Sequence, residues 1–208
     1  MLKMTRTPTY LLLAVGLAFQ TCGQTTKSGE DFTIDPDIEH EAEKYISPLG
    51  ANELDTLGLI YSNQLKWDLF EEGKLVHSTK DTTASMPFKA FYYWTSDSLH
   101  IDGGFGIFTT LGFAVTICDN KATVKHLLSV DEFPIYKLYE TDSLQLRIDV
   151  PCNNTKLTLT ALPNMYESEP VYGLVEFESE DFYEEGNDGI KKFRSNMIIY
   201  FRAIKMDF

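Results

Sequence analysis

Residues 171–206 read VYGLVEFESE DFYEEGNDGI KKFRSNMIIY FRAIKM. Val175 and Phe177 alternate with Glu176, Glu178 and Glu180, and Ile199 and Phe201 alternate with Tyr200 and Arg202, the period-two pattern of strands with one dry and one wet face. Asn187-Asp188-Gly189 between the two runs supplies a turn. Taken as a three-residue loop with Gly189 left-handed, it pairs Glu184 with Lys192, Glu185 with Lys191, Phe177 with Ile199 and Val175 with Phe201. A slip of one residue would set Glu178 against Met197 and lose the common inside face. Glu176, Glu178, Glu180 and Glu184 then share the outer face with Lys192, Arg194 and Arg202. The expected role of this acidic stretch is a solvated surface paired across strands, not the two carboxylates of a glycoside hydrolase or a calcium loop.

The same grammar repeats along the rest of the chain. Residues 64–70 and 74–78 flank Glu71-Glu72-Gly73. Residues 91–95 and 99–102 flank Ser96-Asp97-Ser98, and residues 113–118 and 122–127 flank Asp119-Asn120-Lys121. Residues 135–140 and 144–150 flank Thr141-Asp142-Ser143, and one further strand is expected over 156–161. Turn signals this frequent, with no helical pattern between strands, predict an all-β domain over residues 35–208. The expected form is a two-sheet antiparallel β-sandwich with one short N-terminal helix. The alternative is a closed or partly closed β-barrel with Gly103, Gly104, Gly106 and Gly112 at its corners. Asp102-Gly103-Gly104-Phe105-Gly106 lacks the lysine and the following helix of a phosphate loop and is expected to be a bulge or sharp bend. For the helix, Asp35-Pro36-Asp37 offers a cap and an opening proline, Ile38, Ala42, Tyr45 and Ile46 fall on one face, and Pro48 and Gly50 end it.

Upstream, Lys3 and Arg6 precede an apolar run from Tyr10 to Phe19, too short to span a bilayer, for which about 20 residues are needed. Leu17-Ala18-Phe19-Gln20-Thr21-Cys22-Gly23 then resembles the lipobox of bacterial lipoproteins, with Phe19 and Thr21 where that class favours a leucine and a small residue. The resemblance implies a signal peptide over residues 1–21, cleavage by signal peptidase II, and a lipid on Cys22. It places the protein in the cell envelope of a Gram-negative bacterium, anchored by its lipid on the periplasmic or the surface side. Residues 22–34, rich in Thr, Ser, Gly and charge, would be a flexible tether.

The 208 residues carry 31 acidic and 18 basic side chains, a net charge of −13, which argues against a nucleic-acid partner. With Cys22 assigned to lipid, Cys118 and Cys152 remain as a candidate disulfide in an oxidising compartment, or as two buried thiols. No Cys/His spacing suggests a metal, no cofactor is implied, and no catalytic motif is present. A candidate ligand face is formed by Tyr92 and Trp94 together with His100 and Asp102, although strand aromatics more often line a core. The functional expectation is a lipid-anchored binding or assembly module for a protein or glycan partner. The alternatives are a β-barrel carrier of an apolar ligand or a carboxylate-dependent glycan hydrolase.

Overall fold

The computed structural model describes residues 29–48, 59–62, 65–79, 86–105, 109–131 and 135–206; the signal peptide and Cys22 lie outside them. The protein is all-β. A first sheet contains β2 (Ile46–Pro48), β3 (Leu59–Ser62), β6 (Met86–Thr95), β7 (Ser98–Phe105), β8 (Thr109–Cys118), β9 (Lys121–Val130) and the leading part of β11 (Arg147–Leu159). The second contains the rest of β11, β12 (Val171–Ser179), β14 (Gly189–Lys205), β4 (Leu65–Glu71) and β5 (Lys74–Ser78), with β10 (Ile135–Lys137) and β13 (Phe182–Gly186) alongside β14. One short helix, α1 (Ile38–Glu43), and β1 (Thr33–Ile34) precede them.

Two long strands belong to both sheets. In β11, Arg147–Pro151 pair with β9, and Cys152–Leu159 pair with β12 across a register shift between Asn153 and Lys156. In β14, Asn196–Ala203 pair with β12, while Ile204 and Lys205 run parallel to Phe91 and Tyr92 of β6. Strands that turn a corner through a bulge in this way join sandwich sheets at their margins. Hydrogen bonding therefore passes round a ring of β6, β7, β8, β9, β11, β12 and β14. The pairing is antiparallel throughout except at β14–β6 and β1–β11.

The interior is filled with rings. Phe88, Phe105, Phe113, Tyr92 and Phe201 are at most 1% exposed, with centroids 4.6 Å apart for Phe88–Phe105 and 5.1 Å for Phe113–Phe201. Each such side chain contributes about 1.5–3 kcal/mol by leaving water. A second cluster, around Val150, Ile148, Phe182 and Phe193, fills the other end. Fully buried His126 lies between them, its ring 5.6 Å from Phe177 and 6.0 Å from Phe182.

Four expectations are corrected. The final hairpin pairs Glu184 with Lys191 and Glu185 with Ile190 around a two-residue turn, Asn187-Asp188. Beyond it Val175 faces Ile199 and Phe177 faces Met197. The break lies at Glu180-Asp181, where one strand becomes two and Phe182 takes the inside place held by Phe177 before it. Gly103 and Gly104 are not a bend: they lie in regular register with both neighbouring strands. Their reason is space, because a Cβ on Gly103 would meet the Phe113 ring at 2.6 Å. Gly106 lies outside the described residues.

Helix α1 is shorter than expected. The Asp35 carboxylate accepts the Asp37 amide at 3.0 Å, but the N-cap is Asp37 and makes no side-chain bond, so Pro36 precedes the helix, which ends at Glu43 before Ile46 enters β2. Finally, Cys152 is buried and outside any disulfide, its thiol directed at the Val150 carbonyl at 3.6 Å, so no Cys118–Cys152 bridge exists. Strand β9 lies between β8 and β11, and two strand spacings of about 4.8 Å exceed the roughly 7 Å Cα limit for a bridge.

Candidate functional site

The expected ligand face does not assemble. Strand β6 pairs Tyr92 with Ile101 and Trp94 with Leu99, so both rings turn inward with those apolar partners. Tyr92 is fully buried and donates its hydroxyl to the Glu169 carbonyl at 2.8 Å, fastening the loop before β12. Phe91 and Tyr93 instead stand across from Asp102 and His100. Tyr93 stacks on His100 at 5.0 Å, and both imidazole nitrogens are engaged, Nε2 with Thr95 Oγ1 at 2.7 Å and Nδ1 with Thr116 Oγ1 at 3.3 Å. Burial raises the Asp102 pKa, countered by His100 and Arg147, and burial lowers that of His100, countered by Asp102. This is a satisfied polar cluster on an outer sheet face. Among the described residues no group of His, Cys, Asp and Glu is placed to hold a metal ion.

An open groove occurs on the other sheet, where β11, β12 and β13 meet. The bulge in β11 turns Asn153 and Asn154 outward, with Asn154 at φ 48, and the break after β12 leaves Ser179, Glu180 and Asp181 at the groove floor. Ser179 anchors that break. Its hydroxyl donates to the Glu180 carbonyl at 2.8 Å and accepts the Ser195 amide at 2.9 Å, while the Glu180 amide donates to the Pro151 carbonyl at 2.8 Å. Leu138, Tyr139 and Tyr183 form one wall and Arg194 the other, enclosing about 500 Å³.

Charge here is matched internally. Arg194 donates from Nε and Nη2 to Asp181 Oδ1 at 3.1 and 3.0 Å, and from Nη1 to Glu178 Oε1 at 3.2 Å. The second Glu178 oxygen accepts from Asn154 Nδ2 at 2.9 Å, and Lys192 lies 3.6 Å from Asp181. Two smaller recesses, of about 250 and 240 Å³, continue from this groove and share Glu178 with it. The pairing of Glu176 with Lys156 at 2.9 Å extends the same outer face, as expected for the acidic stretch. Glu184 departs from it: after the break it lies on the other face, where burial and the neighbouring Glu71 raise its pKa against the pull of Lys191.

The groove was not expected from sequence. Tyr139 and Tyr183 stand in no motif, and Asn153-Asn154 reads as a turn. One signal was available, the change of apolar parity from Val175 and Phe177 to Phe182, which marks an inserted residue. No family model, curated protein or solved structure matches the chain.

Proposed function

We propose that the protein is a lipid-anchored binding module working outside the cytoplasm, its partner, a protein or a glycan, engaging the groove between β11, β12 and β13. The observation that carries the binding role is the contrast between a ring of strands filled by aromatic side chains and an open, polar, preorganised groove on its outer surface. The filled interior weighs against the carrier of an apolar ligand. Glu178 and Asp181, two of the three acids lining the groove, are both held by Arg194, an arrangement that suits recognition better than hydrolysis. No helix among the described residues is long and apolar enough to cross a membrane.

The anchor rests on the lipobox resemblance at Cys22. Cys22→Ser is expected to move the protein from the membrane fraction to the soluble envelope fraction, and unchanged partitioning would sink the assignment. The mass of the Cys22 peptide, with or without a diacylglyceryl group, is a second readout of the same assignment.

A further inference from the structure

We propose that the groove takes a neutral oligosaccharide, an assignment that rests on the binding-module reading and names its ligand class. Charge excludes the first rivals. The carboxylates of Glu178 and Asp181 are met by Arg194 and Lys192, so these four groups cancel. A phosphate or a uronic acid would find no uncommitted cation in this lining, and a cationic peptide would have to compete with Arg194 and Lys192 for their acids.

What the groove does offer is fixed hydrogen-bonding capacity. A carboxylate accepts about four hydrogen bonds, and Glu178 uses one on each oxygen, for Arg194 and Asn154. Sugar hydroxyls, each both donor and acceptor, fit such residual capacity. The ion pairs also hold these acceptors in place before binding, which lowers the entropy cost of recognition. Tyr139, 58% exposed, stands at the rim where a pyranose ring can lie on its face. Length is consistent too. The groove and the two recesses beside it all border on Glu178, so binding positions lie side by side, which suits several linked rings better than a single monosaccharide.

The test uses the full chain as expressed. Linear tetrasaccharides of glucose, xylose, mannose and N-acetylglucosamine are titrated calorimetrically beside tetragalacturonate. At least one neutral series is expected to bind, with Tyr139→Ala weakening it at least about tenfold and Tyr139→Phe retaining it. Tyr166→Ala, at an 85% exposed tyrosine outside the groove, should leave binding unchanged. Equal unfolding midpoints of the variants keep the comparison fair. The proposal is overturned if tetragalacturonate binds as well as the neutral series, or if Tyr139→Ala has no effect. It is also overturned if no tetrasaccharide binds. In that last case a photo-crosslinker at position 139 separates the failures: an envelope protein captured there leaves the binding-module reading standing, and an empty result ends both.

Discussion

Gly112 has no room for a methyl group. A Cβ there would lie 2.0 Å from the Gly103 carbonyl oxygen and 2.6 Å from the Gly104 Cα, both backbone atoms that cannot rotate away. Gly112→Ala should therefore force β7 and β8 apart and cost about 2–3 kcal/mol or more. Gly186, whose Cβ would meet nothing within 4 Å, is the control, and Gly186→Ala should stay within about 0.5 kcal/mol. Urea midpoints of the two variants decide this; equal midpoints would refute the steric account. His126 makes a second prediction. Its Nδ1 donates to the Gly112 carbonyl at 2.8 Å, Nε2 has no partner, and burial pushes its pKa down to about 4 from 6.5. The unfolded chain then binds the proton more readily. The associated stability is fully present above pH 6.5 and is lost as pH falls toward 4, to a total of about 3 kcal/mol. His126→Phe should flatten the dependence of the urea midpoint on pH between 6.5 and 4. An unchanged slope would assign the acid sensitivity to other groups.

At the level of elements, strand existence was legible because alternation and turn residues agree locally. Glu72 and Gly73, at φ 48 and 77, and Asp119 and Asn120, at φ 50 and 59, form two-residue turns with both residues left-handed, where the sequence shows acid-Gly and Asp-Asn. Register was less legible. It depends on turn length to the single residue, and Asn187-Asp188-Gly189 admits a loop of two or three. Pairing Phe177 with Ile199 rather than Met197 kept the faces of β12 right, because the error there was of two residues, whereas the error of one residue at Glu184 put it on the wrong face. The same limit misplaced the ligand face. Knowing that Thr95 pairs with Ser98 would have set Tyr93, not Tyr92 or Trp94, across from His100. The joining of two expected strands into the thirteen-residue β11 left no local trace, since its bulge at Asn153-Asn154 carries ordinary turn residues. The groove was invisible for that reason: it is made by two irregularities, the β11 bulge and the break after β12, that meet only in the folded chain.

Across the whole molecule, β11 and β14 commit the two sheets to a common fate. Neither sheet can lose its margin without opening the other, so unfolding should be a single transition. The protein has two tryptophans and they divide between the sheets, Trp67 in β4 and Trp94 in β6. Trp67→Phe and Trp94→Phe each leave one reporter, and their fluorescence midpoints in denaturant should fall where far-ultraviolet circular dichroism puts each variant. Separated midpoints between probe and dichroism would mean that the sheets unfold independently.

Glu30 exchanges two backbone hydrogen bonds with Ala122 at 2.8 Å, and its carboxylate accepts from Thr155 Oγ1 at 2.8 Å, next to the groove residue Asn154. The chain is therefore rooted beside the groove from Glu30 onward. Seven residues separate Cys22 from Glu30, a reach of about 28 Å at full stretch. With a lipid on Cys22, Glu30 stays within that distance of the headgroups, and the groove beside it opens toward whatever coats the bilayer surface.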